Sequence, residues 1–132
     1  MLATGYSLTT TTHLGFTEAV EQVRVELKEE GFGVLCEIDV QATLKEKLDV
    51  DGDPYVILGA CNPLLAHQAL TMEPDLGVLL PCNVVVYSQA GETHVSAVDA
   101  ERMLSIVENT ALAPIAADVK RRLTAVIERV AR

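Results

Sequence analysis

Two Cys-Asn pairs, Cys61-Asn62 and Cys82-Asn83, are the residues in this chain whose types and spacing suit them to chemistry. Each sits in an apolar run, Tyr55–Cys61 or Val78–Tyr87. Cys61-Asn62-Pro63 predicts a strand running directly into a helix, with Asn62 as N-cap and Pro63 at the first helical position. A thiol at that junction lies beside unpaired N–H groups and the positive end of the helix dipole. Both favour the thiolate, the form that acts as nucleophile or soft-metal ligand. The competing reading makes Cys61 a small buried residue ending a central strand. Cys82 follows Pro81, whose missing N–H marks a bulge, an edge or a strand's true beginning. Such a position either opens the thiol to a pocket or buries it. Asn62 and Asn83 read as a cap and a backbone-satisfying amide, and Asn62 would also help hold a ligand's oxygen atoms at the helix head. The ligand-binding candidates are therefore Cys61, Asn62, Pro63, Pro81, Cys82 and Asn83, with no catalytic residue assigned.

Other constellations carry less. His67 lies about one and a half turns into the helix after Cys61, well off the face of the first turn, which disfavours a Cys61–His67 pair. Were the two apolar runs parallel, Cys61 and Cys82 would sit on the order of 15 Å apart along the sheet. A disulfide needs Cα atoms within about 7 Å, so only an antiparallel arrangement permits one. Asp49, Asp51 and Asp53 mimic a calcium loop, but Pro54 and Ala60 replace its Gly and Glu. His13, His67 and His94 have no ligand spacing, and no nucleotide-binding, hydrolase or zinc motif occurs, so neither a metal nor a cofactor is expected. Cys36 alternates onto the apolar side of a strand and reads as core. Glu37 and Asp39 share the other side, which alternation makes the solvent face.

The elements that position these residues follow in order. Residues 3–12 predict a strand, and Phe16, Val20, Val23 and Leu27 predict a helix that Gly31 ends. A half-buried strand over Val34–Val40 and a short helix from about Gln41 to Leu48 come next. The central Tyr55–Cys61 strand leads into the Pro63 helix. The continuous apolar runs suggest strands buried on both faces. After a hairpin at Ser88–Glu92 comes a strand over Thr93–Val98, then a helix capped by Asp99 and a last helix from near Pro114. This order predicts an α+β fold: a two-layer sandwich with one mixed sheet of about five strands and helices mainly on one face, all in a single domain over residues 1–132.

Composition sets the outer bounds. The chain has 132 residues, 49% of them hydrophobic, enough for a real core without staples. A net charge of −9 and 4% aromatic content argue against nucleic acid, and the charge also argues against anionic lipid. Residues 114–132 hold five basic side chains against two acidic ones, leaving −12 on the remainder. That basic helix could lie solvated, the commonest outcome, neutralise its own domain, or meet a partner subunit. No secretory signal or membrane span is visible, and three irregularly spaced cysteines fit a reducing compartment. A cytoplasmic protein is expected.

Several segments together carry a resemblance: Glu30-Gly31-Phe32-Gly33-Val34-Leu35, Glu37-Ile38-Asp39, Thr43-Leu44-Lys45, Tyr55 through Pro63, and Leu79-Leu80-Pro81-Cys82-Asn83-Val84-Val85-Val86-Tyr87. Over nearly its whole length the chain resembles the domain of unknown function 302 family of small prokaryotic proteins. It departs from the family at Asp53-Pro54, where a Pro-Pro pair is common, and at Leu64. The resemblance implies an α+β fold and a homodimer, and supplies no activity or catalytic residue. The resulting expectation is a homodimeric domain offering a small ligand a thiol-lined pocket near Cys61 and Cys82. The alternative is a thiol-dependent redox or transfer enzyme with Cys61 as nucleophile and Cys82 resolving it. A soft metal or haem shared between subunits ranks third.

Overall fold

The chain opens with a hairpin in which β1 (Leu2–Ala3) pairs with β2 (Ser7–Thr12). The computed structural model describes residues 2–131. The Thr4 Oγ1 accepts from the Tyr6 and Ser7 N–H groups at 3.2 and 2.9 Å, which turns the chain early, so Tyr6 sits in the turn and not in a continuous strand. α1 (Phe16–Glu29) buries Ala19, Val20, Val23 and Leu27 at helical spacing, and Gly31 takes the positive φ of 85° that its end requires. Then follow β3 (Gly33–Asp39), α2 (Val40–Leu48), β4 (Tyr55–Cys61), α3 (Pro63–Met72) and a 3-10 turn over Pro74–Leu79. β5 (Cys82–Gln89), β6 (Glu92–Val98), α4 (Ala100–Ser105), a turn over Thr110–Leu112 and α5 (Ala113–Val130) complete the order.

The fold is an α+β sandwich. The sheet runs β1-β2-β6-β5-β4-β3, and one face packs on the core with α1, α3, α4 and α5. Every neighbouring pair is antiparallel, where the sequence suggested a mixed sheet. The reason lies between β4 and β5. Ala60 pairs with Cys82, so the chain leaves and rejoins the sheet at the same end. α3 and the Pro74–Leu79 turn are an out-and-back excursion, not a crossover. The run expected as strand from Val78 therefore starts at Cys82, directly after Pro81, and Val78 is exposed in the turn.

A single helical layer also corrects the expectation of strands buried on both faces. Val56, Leu58, Ala60, Val84 and Val86 are buried, whereas Tyr55, Ile57, Val85 and Tyr87 alternate onto an open face and are half-buried. Cys36, expected in the core, is exposed. A β-bulge between Val34 and Cys36 breaks the period-two count: Val34 pairs with core-facing Ala60, but Cys36 pairs with Gly59 and Ile38 with Ile57 on the open face. Glu37 and Asp39 consequently point to the helix side. There Arg24 of α1 meets Glu37 at 2.9 Å, and Asp39 caps α2 by accepting from Ala42 N–H at 2.9 Å.

Three basic side chains of the last helix, Lys120, Arg122 and Arg129, bond to other elements of the same chain. Lys120 reaches Asp99 at 3.1 Å and Glu101 at 3.4 Å, Arg129 pairs with Glu26 and, at 2.7 Å, with Glu30, and Arg122 donates to the Glu30 carbonyl at 2.9 Å. Arg132 lies outside the described residues. In the acidic turn after α2, Lys45 bridges two of the three carboxylates, at 2.7 Å from Asp49 and 3.1 Å from Asp51. No described helix is long and apolar enough to cross a membrane.

Two expected outcomes follow from this packing. A Cβ on Gly59 would meet the Cys36 Sγ at 2.6 Å and the Pro81 Cγ at 2.8 Å. Gly59→Ala should destabilise by about 1–3 kcal/mol in urea unfolding, as overpacking does. Adding Cys36→Ala should restore only part of that loss, because the Pro81 ring cannot swing aside. Second, burial pushes the Asp99 carboxyl up, but the Arg102 and Glu101 N–H groups and the Lys120 ammonium outweigh it and hold the group below its ordinary value. Its stabilisation is thus complete above the unfolded value of about 3.9 and fades as pH falls through the lower folded value. Asp99→Ala, which also removes the α4 cap, should cost about 0.5–2 kcal/mol at pH 7. Melts in an acid series should show this gap between wild type and variant narrowing as pH drops.

Candidate functional site

The junction of β4 and α3 forms as its residues dictate. The Asn62 Oδ1 accepts from Leu65 N–H at 3.2 Å, Pro63 fills the first helical position, and Ala66 N–H donates to the Asn62 carbonyl at 2.8 Å. Across the sheet end, Pro81 follows Leu80 through a cis bond and Cys82 begins β5. With Ala60 opposite Cys82, Cys61 and Cys82 occupy diagonal positions on neighbouring strands. The separation calculated for parallel strands therefore does not apply. Both thiols are free.

A cavity of about 290 Å³ opens where α3 and the Pro74–Leu79 turn overhang the sheet. Cys61, Asn62, Pro81 and Cys82 form its end at the strands. Leu65 and Ala69 of α3, Leu76 of the turn, Met103 of α4 and Ile115 of α5 form the walls. Pro63 and Asn83 are not in the lining: Pro63 starts the helix, and Asn83, opposite Gly59, is exposed on the other face of the sheet. His67 does not line it either. Burial, with a smaller effect from nearby Cys61, pushes the Cys82 thiol up to about 11, so at neutral pH it is protonated and a poor nucleophile. Cys61 is the more accessible of the two.

Several lining residues escaped sequence reasoning, among them Ala60, Ala66, Ala69 and Met103. The available signal was the pair of alanines at three-residue spacing in the Pro63 helix, where larger side chains would have filled the space. A second unread feature crosses the open face. Tyr55, Tyr87 and His94 are register partners on β4, β5 and β6 and stack with ring centroids 5.3 and 4.9 Å apart. Leu44 of α2 joins Tyr55 and Tyr87 in a shallow pocket beside this ladder. Among the described residues, no three His, Cys, Asp or Glu side chains converge in a way that would hold a metal ion.

Comparison with known proteins gives a consistent answer. No curated protein matches the chain. A solved structure, the crystal structure of an uncharacterized conserved protein DUF302 from Bacillus stearothermophilus, superposes with a TM-score of 0.88 at 35% identity, covering 96% of this chain and 98% of that one. The family model described as "Domain of unknown function DUF302" matches residues 8–130. The chain belongs to the DUF302 family.

Proposed function

We propose that this DUF302 protein is a cytoplasmic, prokaryotic, homodimeric domain that binds a small apolar ligand in the cavity beside Cys61 and Cys82. The cavity itself carries the reading: 290 Å³ lies just below the about 300–1,000 Å³ usual for small-molecule sites. Its lining is hydrophobic apart from one amide and two thiols. The protonated state of Cys82 weighs against a resolving thiolate, and so against the thiol-enzyme alternative. Three free cysteines fit a reducing cytoplasm, and the solved relative's bacterial source fits a prokaryotic family.

The dimer reading rests on the open sheet face. Ile38, Ile57, Val85 and the Tyr55–Tyr87–His94 stack lie there, with α2 bordering the face beside Tyr55 and Tyr87. Between the strand ends this face bears no Asp, Glu, Lys or Arg. A second copy can meet it there without bringing charges of like sign into direct contact.

Two measurements test these readings. In native alkylation followed by mass spectrometry, Cys36 should label first, Cys61 more slowly, and Cys82 only on unfolding. A small bound apolar molecule such as 1-octanol should slow Cys61 and leave Cys36 unchanged; a Cys61 rate indifferent to saturating octanol would remove the cavity reading. Labelling of Cys61 far ahead of Cys36 would instead support the nucleophile. Light scattering should give twice the 14.2 kDa chain mass, and Ile57→Asp should halve it with the circular dichroism spectrum retained. A wild-type mass of one chain rules out the dimer.

A further inference from the structure

We propose that the cavity selects an electrically neutral aliphatic molecule of about ten non-hydrogen atoms, taking roughly 30 Å³ for each, with at most one hydrogen-bonding group, seated near Asn62. The inference rests on the reading above that the cavity binds a small ligand. Its ground is the composition of the lining, which includes no Asp, Glu, Lys, Arg or His. Asn62 is the one amide side chain there, and its Oδ1 is engaged by Leu65 N–H at 3.2 Å. An ionised head group entering this space would leave water without a partner of opposite charge, and the desolvation penalty would stand unopposed.

The Arg122 guanidinium, which like the Asn62 amide lies beside Gly31, does not change this balance. Arg122 is not in the lining, and it is committed to the Glu30 carbonyl at 2.9 Å and to Asp118 at 3.0 Å. Nor is there a carboxylate in the wall to attract an amine. The thiols point the same way, since Cys82 stays protonated at neutral pH and adds no charge. Leu65, Leu76, Leu104, Ile115 and Val119 offer branched hydrocarbon and Met103 a flexible thioether, which suit a saturated chain. A hydroxyl or carbonyl at one end of the ligand would find the Asn62 amide; a second polar group would have no partner.

Titration of the full chain with 1-octanol and with octanoate at pH 8, followed by calorimetry and by melting temperature, tests the proposal. Octanol should bind at least about tenfold more tightly than octanoate, and octanoate should gain affinity as falling pH protonates it. Ala69→Phe should lose at least about tenfold in octanol affinity by filling the space, with Ala66→Leu as the milder variant should the first not fold. Octanoate binding as tightly as octanol at pH 8 overturns the neutral-ligand inference and leaves the cavity reading standing. If neither probe binds the folded protein, or if filling the space changes nothing, the cavity reading itself falls.

Discussion

The antiparallel pairing of β4 with β5, Ala60 opposite Cys82, is the constraint on which the rest of the molecule depends. It returns the chain to the sheet at the end where it departed. Everything between Cys61 and Cys82 must therefore hang over that end instead of running the length of the sheet. α3 and the Pro74–Leu79 turn form the overhang, and α4 and α5 supply the remaining walls. Interiors normally close to a packing density of about 0.74. Here small side chains at Ala60, Ala66 and Ala69 leave the overhang short of that closure.

The same pairing divides the sheet into two unlike faces. On one, the helices bury Val56, Leu58, Val84 and Val86, and charged side chains brace the layer from outside, α5 to α1 through Arg129 and α5 to α4 through Lys120. These cations balance carboxylates of their own chain, so the uneven charge along the sequence reflects internal bracing. The other face carries a cross-strand aromatic ladder and aliphatic side chains without formal charge. Cross-strand pairs of this kind stabilise a sheet through their mutual contact.

Burial also decides the chemistry of the three thiols. Cys36 stands on an edge strand in solvent, Cys61 borders the cavity half-buried, and Cys82 lies within the core. A thiol needs a polar or electropositive setting to ionise. The apolar wall around Cys82 has the opposite effect, and the Cys-Asn repeat that links it to Cys61 in the sequence does not give the two cysteines one role.

Local chemistry alone determined much of this protein. The Asn62-Pro63 start of α3, the Asp99 cap of α4, the helical spacing of Val20, Val23 and Leu27, and the α+β order of elements were all legible, because each depends on residues within a turn or two of one another. Tertiary structure alone decided strand direction, the bulge that turned Cys36 outward, the partners of the α5 cations and the emptiness beside Cys61. Each of these depends on which distant residue lies opposite, and period-two or period-3.6 patterns carry no information about that. A one-residue bulge at Leu35 reverses a face without altering the alternation that predicts it, and a cavity is defined by atoms that no stretch of sequence contains.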